Sequence, residues 1–171
     1  AIVFTPLLAW SNIGGGALLP LNQTVAGLWS EVAFGHRAAG LGAIGAADPF
    51  AAIIALLGTA TWWAPSQSMV ILWVLALPLA LLGGWFAATR VTDRSGLRIA
   101  AAVVWALAPT FLSALQQGRP AAVLVHLLLP WLFAAGAVAF RSWGAAGTAS
   151  LLLAAVLACA PVLALPLAVL W

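Results

Sequence analysis

The sequence has very little charge: only 5% of its 171 residues are charged, and lysine is absent, so all six basic residues are arginines. A soluble domain carries charge on about a quarter of its residues. Hydrophobic residues make up 65% of the chain, and a soluble fold of this length could not hide so much apolar surface from water. The composition therefore excludes an ordinary soluble domain and indicates a membrane protein.

Other absences narrow the function. The single cysteine, Cys159, lies in an apolar run, so it can form no disulfide within the chain, and we interpret it as an inert buried thiol. The sequence has no metal-ligand cluster, heme motif or nucleophile motif, so we expect no metal and no cofactor. The net charge of +3 is too small and too dispersed to indicate nucleic acid as a partner.

Both ends of the chain look like internal positions. The sequence opens without methionine and ends inside an apolar run, so we expect a fragment of a longer protein. Residues 1–10 lack the basic region and the cleavage site of a signal peptide. They fit the end of a preceding span instead.

Residues 66–171 predict four membrane-spanning helices, at about 67–89, 99–115, 121–140 and 148–171. Each run is long enough, at ~1.5 Å per residue, to cross a hydrocarbon layer of ~30 Å, the second only just. Only helices satisfy every backbone polar group in such a layer. The predicted fold class is therefore all-α, a polytopic transmembrane helix bundle, and we expect kinks where the spans contain proline. These prolines are Pro78, Pro109, Pro130, Pro161 and Pro166.

The positions of the arginines predict the orientation. Residues 90–98 hold three arginines and residues 141–147 hold a fourth, whereas two arginines lie on the opposite side, one of them Arg119. An excess of arginine marks cytoplasmic loops. We therefore expect residues 90–98 and 141–147 to be cytoplasmic and residues 10–65 to be external.

The external segment, residues 1–65, predicts two short amphipathic helices. The first begins near Thr24, and its apolar stripe consists of Val25, Leu28, Trp29, Val32 and His36. The second begins at Asp48 and Pro49, with Asp48 as the N-cap and Pro49 at the first helical position. At about 14 residues this helix is too short to span, so we expect it to lie on the membrane surface.

Two groups near the predicted outer face are candidates for substrate binding. Arg119, with Gln116 and Gln117, lies between the second and third spans, where a guanidinium either clamps a phosphate bidentately or anchors the helix at the interface. His126 lies about two turns inside the third span and shares a helical face with Arg119. It either contributes to a substrate site or hydrogen-bonds a neighbouring helix.

The acids of the external segment, Asp48 and Glu31, are the candidates for a general base. A base that activates a sugar hydroxyl must be a carboxylate or histidine within hydrogen-bond reach. For Asp48 the alternative role is the helix cap, and for Glu31 it is a solvated surface carboxylate. Asp93 lies between Arg90 and Arg94 and is expected to form a surface ion pair.

Several runs resemble the membrane portion of large actinobacterial proteins assigned to glycosyltransferase family 2. These runs are GAADPFAAIIALLG, LALPLALLGGWFAATRVTDR, WALAPTFLSALQQGRPAAVLVHLLLPWLFAAG and RSWGAAGTASLLLAAVLACAPVLA. The layout is also similar to the glycosyltransferase C superfamily, notably its polyprenyl-phosphate-dependent arabinosyl- and mannosyltransferases. In those enzymes the catalytic acid lies in the first external loop, where this chain offers Asp48 and Glu31. The paired acids that the family often shows at the start of that loop are not present in this sequence.

The resemblance implies two functions. One is a transferase module in the bacterial plasma membrane that moves a sugar from a polyprenyl-phosphate donor to a cell-envelope glycan on the outer face. The alternative is a non-catalytic anchoring or glycan-transport module attached to a cytoplasmic family 2 glycosyltransferase domain. The implied partners are the lipid bilayer, a lipid-linked sugar donor and a glycan acceptor. A secondary transporter is a weaker alternative, because the sequence shows no inverted repeat.

Overall fold

The computed structural model describes residues 21–36 and 44–170. These residues fall into two compact units, one up to Val74 and one from Leu75 onward, and each unit is described by itself. The predicted end of a preceding span at residues 1–10 lies outside the described residues.

The described part of the chain is helical apart from one short ribbon, in which strands β1 (Phe34–His36) and β2 (Ile44–Ala46) pair antiparallel. Two turns of 3-10 helix, Ala139–Arg141 and Pro161–Leu163, precede the last two α-helices. The α-helices are α1 (Val25–Ala33), α2 (Phe50–Ala60), α3 (Gln67–Ala88), α4 (Ser95–Ala106), α5 (Pro109–Gln116), α6 (Pro120–Gly136), α7 (Trp143–Cys159) and α8 (Ala164–Leu170).

Helix α1 begins where the sequence predicts. The hydroxyl of Thr24 accepts a hydrogen bond from the amide of Gly27 at 3.1 Å, which satisfies one of the free amides at the helix start. The predicted apolar stripe needs one correction at its end. The helix ends at Ala33, and His36 belongs to β1, so His36 does not continue the helical stripe.

Helices α1 and α2 pack against each other in the first unit. Leu28 is buried, and a Cβ at Gly58 would collide with its Cδ1 atom. The indole nitrogen of Trp29 donates to the hydroxyl of Thr59 at 3.1 Å. The absence of a side chain at Gly58 therefore lets the two helices come close enough for both contacts.

Helix α2 also begins as predicted. A carboxylate oxygen of Asp48 accepts a hydrogen bond from the amide of Phe50 at 3.0 Å. Pro49 has helical backbone angles, φ −50° and ψ −25°, so Asp48 occupies the cap and Pro49 the first helical position. The helix has 11 residues and ends at Ala60, shorter than the predicted length of about 14, because a turn follows. Its location on a membrane surface stays a prediction.

Three stretches are long and apolar enough to cross a membrane, namely Gln67–Ala88, Ser95–Gln116 and Pro120–Arg141. They correspond to the first three predicted spans and suggest a bilayer environment. The fourth predicted span consists of two helices, because the 17-residue α7 ends before Pro161 and α8 follows. That this segment crosses the membrane stays a prediction.

The prolines differ in what they do to the helices. Pro109 opens α5, and α4 has already ended at Ala106, so the second predicted span is interrupted. Because proline has no N–H, the carbonyl of Trp105, four residues earlier, lacks the usual α-helical donor and accepts from the amide of Ala108 at 3.2 Å instead. Pro78 and Pro130 lie inside α3 and α6, where bending stays a prediction.

The second unit is built on close helix contacts. Leu132 of α6 and Val156 of α7 are completely buried in a shared cluster. At Gly84 an added Cβ would lie only 2.9 Å from the Cα of Ala102. The neighbouring Gly83 lies against Pro130 in the same way, at 3.3 Å. Two adjacent glycines thus bring α3 against both α4 and α6.

Candidate functional site

His126 is held between two aromatic rings. Its imidazole stacks on Trp105, with ring centroids 4.2 Å apart, and on Phe111, with centroids 4.3 Å apart. Its Nε2 atom lies 2.9 Å from the carbonyl oxygen of Trp105. A carbonyl oxygen only accepts hydrogen bonds, so Nε2 carries the proton in this contact.

The partner of His126 explains why a histidine is here. The carbonyl of Trp105 accepts from the amide of Ala108 at 3.2 Å, in the tight turn that ends α4, and Pro109 has no amide hydrogen to add. His126, on α6, donates to the remaining lone pair of that carbonyl from a neighbouring helix. Of the two roles that the sequence leaves open, the structure therefore favours the hydrogen bond to a neighbouring helix.

Arg119, Gln116 and Gln117 lie together at the corner between α5 and α6. Gly118 has a positive φ of 64°, and the amide of Arg119 bonds to the carbonyl of Ala114 at 2.9 Å. This is the Schellman geometry that ends a helix, and it fixes the backbone of the corner. The three side chains are exposed and make no hydrogen bond within the described residues. The contacts of His126 are with Trp105 and Phe111, and not with these three side chains.

The two candidate bases, Asp48 and Glu31, both belong to the first unit. Asp48 is exposed and caps α2 with one carboxylate oxygen. Glu31 accepts a hydrogen bond from the side chain of Asn22 at 3.3 Å. A shared site of these acids with Arg119 would involve both units and stays a prediction.

Asp93 forms the expected surface ion pair, with Arg98 as its partner at 3.0 Å. Arg98 also donates from Nε to the carbonyl of Thr92 at 2.7 Å. The acid of the loop is thereby engaged, and Arg90 and Arg94 have no ion pair among the described residues. In the same part of the chain, no group of three histidine, cysteine or acidic side chains could hold a metal ion.

A cavity of about 640 Å³, here called the main cavity, lies between α3, α4 and α6. It exists because the three helices present small side chains to one another. These small residues are Gly84, Ala87, Ala88, Ala101, Ala134 and Ala137. A second cavity of about 290 Å³, the side cavity, lies between α3, α6 and α7. Arg90 and Ala134 line both cavities.

The main cavity has a polar end and an apolar end. Arg90 and Thr92 line it where α3 has ended, and Trp105 lines it further along α4. Leu97 and Trp105 are eight residues apart on α4, so at ~1.5 Å per residue the cavity extends about 12 Å along that helix. Leu97 is 53% exposed and Phe133 is 45% exposed. The cavity is therefore open on one side, between apolar side chains.

Trp105, one of the residues that line the cavity, has an unsatisfied donor. The indole nitrogen of Trp105 is buried and has no hydrogen-bond acceptor within the described residues. A buried donor without an acceptor costs about 1–3 kcal/mol. The stacking on His126 fixes the ring despite that cost.

The cavity lies outside the candidate sites that the sequence predicts, in which Arg90 served for the orientation and as a neighbour of Asp93. The signal was present as small residues at helical spacing, Gly84 with Ala88 on α3 and Ala134 with Ala137 at the end of α6. Such spacing reports only that one helix face is small, and whether a neighbour fills the space depends on how the helices pack. Comparisons with family models, curated proteins and solved structures found no match to this chain.

Proposed function

We propose that this chain is a membrane module of a glycosyltransferase system that assembles cell-envelope glycans, and that it holds the lipid part of a polyprenyl-phosphate-linked sugar. The observation that carries the proposal is the main cavity. It is large, apolar and open on one side, and it lies between helices of membrane-spanning length. An isoprenoid chain is an apolar ligand that reaches such a cavity from the bilayer.

The chemistry of the cavity favours an apolar chain as the occupant. Its walls are alanine, glycine and larger apolar side chains, and its polar groups are confined to the end near Arg90. Burying a methylene group stabilises a complex by about 0.8 kcal/mol. A chain that fills part of the ~12 Å length therefore gains affinity from several methylene groups at once.

The contacts of the candidate acid–base groups favour a holding role for this segment. His126 is hydrogen-bonded and stacked, Asp48 caps a helix, and Glu31 is bonded to Asn22. In this proposal the transfer chemistry belongs to another domain of the same protein. The module lies in the bacterial plasma membrane with residues 90–98 on the cytoplasmic side, as the arginine distribution indicates.

The test compares two phenylalanine variants in the full-length protein. Ala101 lines the main cavity, and Ala100 lies beside it on α4 and does not; both are exposed, so both substitutions are compatible with the helix. Binding of a polyprenyl phosphate to protein in phosphatidylcholine nanodiscs is measured by competition with a photoactivatable analogue. Ala101→Phe should weaken binding by more than about tenfold, since excluding two methylene groups already has that effect. Equal binding by the two variants would refute the proposal.

A transferase active in this segment is the second candidate, because Asp48 is exposed and only one of its carboxylate oxygens is engaged in the described structure. The other oxygen is available to accept a proton from an acceptor hydroxyl. Asp48→Asn retains the cap but not the base. Sugar transfer at the wild-type rate by Asp48→Asn excludes this second function, and loss of transfer without loss of folding supports it.

A further inference from the structure

The structure assigns to Arg90 the role of binding the phosphate of a lipid whose chain lies in the main cavity. This inference rests on the proposed function and adds the position and the recognition chemistry of the headgroup. It places the lipid-phosphate site at the end of the bundle formed by residues 90–98, and not at the corner that contains Arg119.

The charge of Arg90 is available for a ligand. Its side chain has no hydrogen bond or ion pair among the described residues, and it is exposed. The acid nearest in sequence, Asp93, is paired with Arg98 at 3.0 Å. One arginine of the loop therefore neutralises the acid, and another borders both cavities and has no ion pair among the described residues.

Arg90 also lies at the depth where a lipid phosphate is found. It follows α3 by two residues, at the end of a helix of membrane-spanning length. Arginines in that position lie at the level of the headgroups, where they attract anionic lipid. A phosphate at Arg90 has its apolar chain directed into the cavity that begins there.

The guanidinium matches the proposed ligand in geometry as well as in charge. Its planar set of N–H donors binds two phosphate oxygens at once. Thr92, which lines the same end of the cavity, uses its hydroxyl oxygen to accept from the amide of Arg94 at 3.2 Å. The hydroxyl proton of Thr92 is thus free to donate to a third phosphate oxygen.

The alternative position for a phosphate, Arg119, lines neither the main cavity nor the side cavity. It is exposed at the corner before α6, beside two exposed glutamines. Arg90 is the better anchor, because it borders the cavity that is proposed to hold the chain.

Arg94 provides a matched control, because it lies in the same loop, is exposed and lines neither cavity. The full-length protein in phosphatidylcholine nanodiscs is titrated with a polyprenyl phosphate, with the corresponding unphosphorylated polyprenol, and with inorganic phosphate. Arg90→Gln should weaken binding of the phosphate lipid by about ten- to a hundredfold, as expected for losing charge-assisted hydrogen bonds. It should leave polyprenol binding unchanged, and Arg94→Gln should resemble the wild type. Arg90→Lys should fall between wild type and Arg90→Gln, because lysine keeps the charge but loses the paired contact.

Several results would overturn the inference. If Arg90→Gln binds the phosphate lipid like the wild type while Ala101→Phe does not, the cavity holds the chain and the proposed function stands, but Arg90 is not the anchor. If Arg119→Gln alone weakens binding, the phosphate lies at the α5–α6 corner. If inorganic phosphate binds as tightly as the lipid, the site recognises free phosphate. If the wild-type protein binds no phosphate lipid, or if the photoactivatable analogue does not label the cavity, the inference and the proposed function both fail.

Discussion

The hydrogen bond of His126 can be tested together with Pro109, which lies four residues after the carbonyl that His126 contacts. Pro109 has no N–H for the carbonyl of Trp105, which accepts from the amide of Ala108 at 3.2 Å and from His126 at 2.9 Å. Pro109→Ala restores an N–H at that position. Substitutions at positions 109 and 126 should therefore not be independent in their effect on the free energy of unfolding.

The expected magnitude follows from the contacts. His126→Phe keeps an aromatic ring between Trp105 and Phe111 and loses only the hydrogen bond, so it should cost about 1 kcal/mol of the free energy of unfolding. His126→Ala also loses two stacked ring pairs at about 0.5–1.5 kcal/mol each, which gives about 2–4 kcal/mol in total. In the Pro109→Ala background His126→Phe should cost less than in the wild type, because an amide at position 109 competes with His126 for the same carbonyl.

The assay is a double-mutant cycle on the purified protein in mixed micelles, with unfolding followed by circular dichroism. The coupling between positions 109 and 126 should be measurable and at most about 1 kcal/mol. Pro78→Ala serves as the control background, since Pro78 lies inside α3 and frees a carbonyl in a different helix. An equal cost of His126→Phe in the wild-type and Pro109→Ala backgrounds would show that the two positions do not share the carbonyl of Trp105.

Three further predictions address other parts of the chain. Asp48→Ala should lower the local stability of α2 by about 1 kcal/mol and speed amide exchange in its first turn, whereas Asp48→Asn should leave that exchange nearly unchanged. Equal exchange in both variants would argue against the cap. Gly84→Ala should destabilise the bundle by about 1–3 kcal/mol, because its Cβ would lie 2.9 Å from the α4 backbone. Gly96→Ala is the control, because a Cβ there would have nothing within 4 Å. Similar melting temperatures of the two variants would contradict the close approach. Ser95→Cys in a Cys159-free protein should resist an impermeant thiol reagent added outside intact cells, and labelling from outside would reverse the proposed orientation.

The features that depend on residues close together in the chain, such as helix starts and apolar stretches, could be predicted from the sequence. The starts of α1 and α2 follow from Thr24 and from Asp48 with Pro49, because a cap is a contact between residues two or three positions apart. The three membrane-length stretches follow from uninterrupted apolar runs, since length and hydropathy are properties of the sequence itself. The end of α1 was not predicted in this way, because the helical spacing continues to His36 although the helix ends at Ala33.

The contacts of individual side chains could not be predicted without knowing how the helices pack. The sequence left His126 between two roles, and the choice depended on Trp105 and Phe111, which lie on other helices and reach it only when the bundle is assembled. The ion pair of Asp93 depended in the same way on where the first turn of α4 places Arg98.

The sequence by itself determined that this chain is helical and suited to a bilayer, because the low charge and the long apolar runs leave few other ways to satisfy the backbone and the apolar surface. Only the tertiary structure decided where a ligand has room. The small residues of α3, α4 and α6 are compatible with tight packing as well as with a cavity, and the difference depends on how closely the helices approach at Gly84 and Gly83. Helix separation is a property of three segments together, so no single segment of the sequence specifies that Arg90 borders an open apolar space.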